Sequence, residues 1–558
     1  MRRLRFGAAL ALGTLALAAG TDARSSAPPP APMSSPAPPP ADLDAAAKRV
    51  DELLDTWQFK EAAAALTALE RAAPTAPATS YLEGYQKFLT GDYDGAVRAL
   101  STAASAAPEN GELKSLKELA AAARDAIKDF HEERSAHTVI HFAPEDAVLA
   151  PYARDTMEAA IAALHTDLGF EPSQPVRVEL YRAPSDLAAV SSLSVAEVAR
   201  TGTIALCKWA RLMVTTPRAL AYGYPWLDSM NHELVHYAVS TLSRDRAPVW
   251  LQEGLAKFLE RRWREPPGGR IPPPMEHLLA KALRSGHLIS FEAMHPSMAK
   301  LPSAEDATLA FAEVENAVAY LYAKGGMAAL RDAIKRVSDG EDARQAVAAA
   351  AGGSWAEFEK GWRAFMLAQH YKTFPAIDIA TTHIRKPGAI ASRRKPAEED
   401  ALSSSLKSSA PFRYLRLGNM LLGRDHPRAA VAEYEKGQKA VTAGARGDPS
   451  ASWIFPVKLG RTYLTLGEPE RALKSLAPVQ ALYPDLPWPG LIAGEAKLAL
   501  GDAPGAVASL RASLATNPFD PRVHCALGTA YQKLATGERP PADVVAREQR
   551  FCKELAGE

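Results

Sequence analysis

The chain has 558 residues, of which 47% are hydrophobic and 23% charged, and its formal net charge is +1. This length is too great for one hydrophobic core and predicts about three or four domains. A net charge so close to zero provides no extended positive field, so nucleic acid is not an expected partner.

The first 23 residues have the features of a secretory signal peptide. Three arginines lie within the first five residues, and the apolar stretch 6–19 that follows is too short for a comfortable membrane span. Thr21 occupies the position at which a lipoprotein would carry cysteine. We therefore expect an exported protein, periplasmic or extracellular, with no lipid anchor and no transmembrane segment in the mature chain. An uncleaved N-terminal anchor is the alternative.

A Pro- and Ala-rich linker, residues 24–41, comes next, because such a composition cannot bury enough apolar area to fold. The pattern over residues 42–130 then predicts helical repeats. Small, apolar and proline positions return there after 34 residues: Ala62, Leu66 and Pro74 match Ala96, Leu100 and Pro108.

The middle region, residues 131–374, contains the stretch with the clearest chemistry. His232, Glu233 and His236 form an H-E-x-x-H pattern. On a helix the two histidines lie one turn apart on the same face, so their imidazoles can bind one zinc ion. Glu233 lies beside them as a candidate general base. The spacing therefore predicts a metal site on a helix.

A catalytic zinc needs a third protein ligand and an open position. Arg244 to Pro248 breaks the helix, and a second apolar-periodic helix begins near Trp250. Two helices joined by so short a break can run antiparallel, which would bring Glu253 back toward the histidines. Val239 and Leu242 stand where a metzincin needs glycine and histidine, so a glutamate third ligand is favoured.

These residues, with Pro248 to Ala256 after them, resemble the gluzincin zinc metallopeptidases of the peptidase MA-like group. The resemblance covers roughly residues 132–372 and implies one Zn²⁺ held by three ligands, with Glu233 as the catalytic base for a metal-activated water. The implied ligands are His232, His236 and Glu253. It also implies strands at 138–142 and 176–181, and it makes 211–217 the edge strand that binds an extended substrate.

Two positions depart from the pattern of that group. Lys257 stands one turn after Glu253, at a position where several gluzincins have an acidic residue, and either Asp228 or Glu260 could orient a ligand histidine instead. Phe311 occupies the place of a tyrosine expected to reach the oxyanion. Its substitutes would be Tyr320, Tyr322 or His295, although packed or surface positions are the more common setting for such residues.

After a second linker, residues 375–409, repeats return over 410–558. Gly460, Gly467, Ala472, Leu476 and Pro484 recur 34 residues later as Gly494, Gly501, Ala506, Leu510 and Pro518. This period, with small residues at helix crossings, resembles the tetratricopeptide repeat (TPR) and implies stacked helical hairpins that bind peptides or proteins. The alternative is that the repeats are a cap that only stabilises the middle domain. Gly418 and Tyr434 indicate an earlier copy of the repeat, offset from the 34-residue register.

The expected fold class is mostly α with a small β-sheet: an α+β gluzincin-like metallopeptidase domain between TPR-like helical-repeat segments. The expected function is an exported zinc peptidase, and because no motif for a free substrate amine is seen, an endopeptidase is favoured. Its partners would be a peptide or protein substrate and a protein partner on the repeats. The alternative is a repeat scaffold with a weak or inactive peptidase-like domain. Cys525 and Cys552 could form one bridge.

Overall fold

A computed structural model describes residues 40–269, 271–374, 411–442 and 451–557. The predicted signal peptide, the first linker up to residue 39 and the second linker, 375–409, lie outside the described residues. Within those described ranges, no helix combines the length and the hydropathy that a membrane span requires. The chain forms two compact units: the residues up to Lys128 together with Ser240–Arg246, and Asp129–Val239 together with the residues from Ala247 onward.

The first unit is built on helical hairpins. Its helices are α1 (Pro40–Asp55), α2 (Phe59–Ala72), α3 (Pro77–Thr90), α4 (Tyr93–Ala106) and α5 (Gly111–Ile127). The side chain of Asp92 caps α4 by accepting a hydrogen bond from the backbone N–H of Gly95. Within the α3–α4 hairpin Leu100 packs against Gly84, where a Cβ would lie 2.6 Å from the leucine side chain. The 34-residue period thus corresponds to hairpins that cross at a small residue.

The second unit begins with a five-stranded sheet and the short helices between its strands. These are β1 (His131–Arg134), β2 (Thr138–Phe142), α6 (Ala150–Leu168), β3 (Val176–Tyr181), α7 (Pro184–Ala189), α8 (Val195–Thr201), β4 (Ala205–Lys208) and β5 (Arg211–Thr215). The order in the sheet is β1-β2-β3-β5-β4. Strands β2, β3 and β5 are parallel, and β1 and β4 are antiparallel to their neighbours. The strands predicted at 138–142 and 176–181 are confirmed.

The prediction that residues 211–217 form the sheet edge is wrong. Strand β5 lies between β3 and β4, so β4 and not β5 is the edge strand on this side of the sheet. Trp209 and Ala210 connect the two strands with φ values of 52° and 55°. This is the conformation of a two-residue hairpin turn, which usually takes Asn and Gly. Because neither residue is typical of such a turn, the strand Ala205–Lys208 could not be predicted from the residue types around it.

The helical half of the same unit supplies the helices around the predicted metal site. They are α9 (Trp226–Ser243), α10 (Val249–Leu259), α11 (Pro273–Ser285), α12 (Ala304–Ser338), α13 (Ala343–Ala350) and α14 (Trp355–Ala368). Helix α12 is kinked, because its backbone is non-helical at Gly325 and Gly326.

The C-terminal repeats are four hairpins in the same unit. They consist of α15 (Phe412–Leu422), α16 (Pro427–Thr442), α17 (Ala451–Thr465), α18 (Pro469–Leu482), α19 (Pro487–Ala499), α20 (Ala503–Leu514), α21 (Pro521–Lys533) and α22 (Ala542–Ala556). In the α19–α20 hairpin Leu510 packs directly against Gly494, and Tyr434 packs in the same way on Gly418 of the earlier copy. Cys525 and Cys552 form a disulfide between α21 and α22.

A buried polar cluster joins α6 to the last two helices. The Tyr152 hydroxyl donates to Glu548 at 2.7 Å, and Nδ1 of His524 lies 2.7 Å from the same carboxylate. Nε2 of His524 faces the carbonyl oxygen of Pro518 at 2.8 Å. Both ring nitrogens of His524 therefore have an oxygen atom within hydrogen-bond distance. The cluster fixes the C-terminal repeats to the sheet-containing region.

Candidate metal centre

Helices α9 and α10 pack side by side because a buried asparagine joins them. The side-chain amide of Asn231 donates to the carbonyl oxygens of Leu259 and Glu260, at 3.0 and 2.7 Å, and so caps the C-terminal end of α10. Gly254 lets α10 approach α12 closely, since a Cβ there would lie 2.7 Å from the carbonyl oxygen of Val314. These two contacts set where α10 lies relative to the histidines of α9.

The three predicted ligand side chains meet at one point. Nε2 of His232 and Nε2 of His236 are 3.2 Å apart, and each lies 3.3 Å from the same carboxylate oxygen of Glu253. Ligands at 2.0–2.1 Å around a tetrahedral ion are separated by about 3.3 Å, so the triangle has the size that zinc requires. The side chains are 14%, 16% and 22% exposed, so solvent reaches one side of the triangle.

Each histidine is oriented by a hydrogen bond at its other ring nitrogen. Nδ1 of His232 lies 3.3 Å from a carboxylate oxygen of Glu260, and Nδ1 of His236 lies 3.3 Å from the side-chain oxygen of Gln252. An acceptor at Nδ1 favours the neutral tautomer that carries its proton there. That tautomer leaves both Nε2 lone pairs facing the Glu253 carboxylate. Three acceptors that face one another need a cation between them, and the donor set therefore fits zinc.

Of the two carboxylates that could orient a histidine, the structure selects Glu260. Asp228 instead accepts hydrogen bonds from Trp263 at 2.9 Å and from Arg264 at 2.6 Å. Lys257 supports the site indirectly, because its ammonium group lies 2.7 and 2.8 Å from the two oxygens of the Glu260 carboxylate. The acidic residue missing one turn after Glu253 is thus replaced by one almost two turns after it, with Lys257 holding it in place.

The charges of the cluster shift its ionisation strongly. Burial alone would lower the pKa of His232, but hydrogen bonds to Glu253 and Glu260 outweigh burial and raise that pKa to about 10. Burial would raise the pKa of Glu253, and the two histidines instead hold it well below its usual range. Without metal the cluster therefore carries protons at neutral pH, and a bound cation would take their place.

Glu233 lies next to the cluster on α9 and is buried. Burial raises the pKa of its carboxyl group, while the charges of His236 and His232 and a hydrogen bond from the backbone N–H of Cys207 act in the opposite direction. Cys207 belongs to β4, so the edge strand runs beside this carboxylate. A carboxylate with a raised pKa beside a metal site suits proton transfer near neutral pH.

The residues considered for the oxyanion lie elsewhere. Tyr320 packs against the rings of Phe358 and Phe365 of α14. Tyr322 packs against Phe258, and His295 is exposed. The structure therefore gives these candidates packing or surface positions.

Sequence reasoning missed three side chains near the centre. Gln252 precedes Glu253 directly, and the need of His236 for an Nδ1 partner was the signal that could have identified it. Tyr224 is buried, and the charge of Glu233 adds to burial in raising the pKa of its hydroxyl group. Glu315 of α12 is buried too, and burial raises its pKa to about 7 although the charge of Lys257 opposes the shift. No sequence pattern marks either of these two.

Comparison with known families agrees with this architecture. Residues 156–368 match the family model of the Peptidase MA superfamily. The part of the chain that carries the metal centre is therefore a Peptidase MA domain, and helical repeats precede and follow it along the chain.

Two solved structures are similar to the chain as a whole. The TPR domain of P58(IPK) is 10% identical with a TM-score of 0.22, and the alignment covers 89% of this chain and 100% of that one. The APC/C hetero-tetramer Cut9–Hcn1 is 12% identical with a TM-score of 0.25, and the alignment covers 92% and 79%. These scores carry no argument about function. A search of the curated proteins finds no match.

Proposed function

We propose that the protein is an exported zinc-dependent metallopeptidase that hydrolyses peptide bonds within protein or peptide substrates. His232, His236 and Glu253 hold the zinc ion, and Glu233 is the catalytic base. The observation that carries this proposal is the triangle of ligand atoms, with sides of 3.2, 3.3 and 3.3 Å. The proposed domains are helical repeats at 42–130, the peptidase at 131–374 and the second repeat region at 410–558.

The protein residues have separate roles in this reaction. When bound, zinc would polarise the scissile carbonyl and acidify a water molecule. Glu233 accepts a proton at its carboxylate and returns it to the leaving amine, and its burial next to the histidines keeps it close to both steps. Glu260 and Gln252 hold the two imidazoles with Nε2 facing the ion. The edge strand β4 provides backbone groups beside Glu233 for an extended substrate.

Export is supported by two features. The positively charged and then apolar start of the sequence is that of a secretory signal peptide. The Cys525–Cys552 disulfide is of the kind that persists in oxidising compartments. The two TPR-like repeat regions are the proposed surfaces for recruiting substrate or a protein partner, because stacked hairpins commonly bind peptides.

The test is cleavage of an unstructured protein, such as fluorescently labelled casein, by the purified chain. We expect cleavage that stops with a chelator and returns with zinc. Glu233→Gln should retain its zinc and lose about 10²–10⁴-fold in turnover. Glu265→Gln, an exposed carboxylate paired with Arg264, is the matched control and should keep full activity. Equal cleavage by wild type and Glu233→Gln would exclude this active site.

The alternative function is a repeat scaffold whose peptidase-like domain binds zinc or peptide without useful turnover. One observation favours it: Phe311 has no hydroxyl group to offer to an oxyanion, and the nearby tyrosines of α12 pack against other rings. Loss of one oxyanion donor costs about 10²–10³ in turnover. If wild type and Glu233→Gln are equally inert over a broad panel of unfolded substrates while both bind zinc, the scaffold function holds.

A further inference from the structure

The nine residues Pro217–Pro225 lie between β5 and α9, and both side chains and backbone groups of the C-terminal repeats contact them. We call these residues the entry segment. Tyr222 packs its ring edge-on against two tryptophans, with ring centroids 5.6 Å from Trp453 and 5.2 Å from Trp488. The two tryptophans stack on each other at 5.4 Å. Both lie in the first turn of their helices, α17 and α19, so neighbouring hairpins share this one tyrosine.

The backbone of the entry segment also contacts the connection between α20 and α21. The N–H of Tyr224 donates to the carbonyl oxygen of Thr516 at 3.1 Å. Gly223 has a φ of +71°, and a Cβ at this position would overlap the same carbonyl oxygen. Arg218 stacks over the ring of Phe519 at 4.3 Å. Gly223 is thus required twice, once for its backbone conformation and once for the close approach of Thr516.

The entry segment leads directly into the catalytic helix. The Tyr224 hydroxyl donates to the carbonyl oxygen of Thr215, at the end of β5. The N–H of Trp226, the first residue of α9, donates to the carbonyl oxygen of Tyr224 at 2.6 Å. The Tyr224 side chain is buried close enough to Glu233 to feel the charge of that carboxylate. Tyr224 therefore contacts the repeats with its backbone and lies near the base with its side chain.

We propose that Tyr222, Gly223 and Tyr224 are positioning residues, through which the C-terminal repeats hold the start of the catalytic helix, so that the peptidase reaction requires the repeats. This inference rests on the proposed function. In this arrangement a residue of the same chain, Tyr222, covers the Trp453–Trp488 pair. This face of the C-terminal repeats is then a part of the enzyme rather than a docking site for a partner. Through this segment the repeats act on the orientation of α9 and of Glu233.

The size of the effect follows from the geometry of proton transfer. A displacement of about 1 Å at a catalytic group can cost about 10²-fold in rate. A Cβ at Gly223 cannot be accommodated unless the entry segment and Thr516 separate. Asn231 and Gly254 also hold the zinc triangle through α10 and α12, so zinc content should fall less than turnover.

The experiment compares Gly223→Ala with Gly169→Ala in the full-length protein. Gly169 also has a φ of +71°, but no atom lies within 4 Å of where its Cβ would be. Both variants carry the same backbone strain, and only the first separates the segment from Thr516. With labelled casein as substrate, we expect kcat of Gly223→Ala to fall about 10- to 100-fold, with KM nearly unchanged and a smaller loss of zinc content. We expect Gly169→Ala to keep the wild-type kcat.

A second series tests the aromatic contact without backbone strain. Tyr222→Ala should lower kcat and Tyr222→Phe should restore it, because it is the ring that packs against both tryptophans. Leu417→Ala, which truncates a 43% exposed apolar side chain of α15 in the same repeats, is the control and should leave kcat unchanged.

The outcomes separate this inference from the proposed function. A wild-type protein that cleaves nothing would overturn the proposed function. An active wild type whose Gly223→Ala and Tyr222→Ala variants turn over like their controls would overturn only the positioning role. Loss of kcat in Tyr222→Ala together with recovery in Tyr222→Phe supports the role even if Gly223→Ala is not obtained in folded form.

Discussion

Glu260 gives the most direct test of how the metal centre is supported. Its carboxylate is 12% exposed, lies 3.3 Å from Nδ1 of His232 and accepts two hydrogen bonds from Lys257. Glu260→Gln keeps the shape of the side chain but removes the negative charge. The imidazole of His232 then loses its anionic partner, and the buried ammonium group of Lys257 loses its counter-ion. Both changes disfavour a second positive charge in the form of a zinc ion.

The expected magnitude comes from the kind of hydrogen bond that is lost. Residues that orient metal ligands contribute about 10- to 100-fold in metal affinity, which corresponds to about 1.4–2.7 kcal/mol. Glu260 makes a charge-assisted bond, whereas Gln252 makes a neutral one of about half that strength. We therefore expect Glu260→Gln to weaken zinc binding about 30- to 100-fold and Gln252→Leu to weaken it by about 10-fold or less.

The assay is competition for zinc against a chelator of known affinity, at fixed pH and ionic strength. Glu265→Gln serves as the control, because its carboxylate pairs with Arg264 at the surface and does not touch a histidine. If Glu260→Gln binds zinc as tightly as the wild type, Glu260 does not support His232. If Gln252→Leu loses more affinity than Glu260→Gln, the ranking by charge is wrong.

Three further predictions follow from the geometry. Folding raises the pKa of His232 from 6.5 to about 10, so protonation of His232 stabilises the metal-free chain fully below about pH 6.5 and this contribution is lost as the pH rises toward 10. Melting curves with excess chelator should therefore show Tm falling over that range, with a smaller slope in His232→Gln. Gly254→Ala should cost about 1–3 kcal/mol in the free energy of unfolding and weaken zinc binding, because the added Cβ meets the backbone of α12, while Gly111→Ala, with no atom within 4 Å, should cost nothing in urea titrations. Reduction of Cys525–Cys552 should lower that free energy by about 3–4 kcal/mol for a sequence separation of 27 residues, and a double Cys→Ala variant should not respond to reductant.

The sequence by itself determined the elements whose signals are local. The spacing of His232 and His236 follows from the 3.6-residue turn of a helix, and the 34-residue period follows from hairpins that repeat one packing contact, such as Leu510 on Gly494. A break between two periodic segments was enough to predict that Glu253 returns to the histidines. Such features depend on neighbours along the chain and can therefore be read from the chain.

Tertiary structure decided the features that depend on distant partners. Glu260 could be chosen over Asp228 only from the structure, in which Trp263 and Arg264 donate hydrogen bonds to Asp228. Strand β4 became the edge because a hairpin turn formed at Trp209 and Ala210, whose residue types give no signal for it.

The largest difference concerns the C-terminal repeats. Their periodicity predicted stacked hairpins and a surface for a protein partner, and that partner stays a prediction. In the structure Tyr222, more than 200 residues earlier in the chain, packs edge-on against Trp453 and Trp488. A repeat sequence specifies how each hairpin packs on the next, because that contact recurs in every copy. What covers the outer face of the stack is fixed once, by shape and burial, and only the folded chain brings the two parts together.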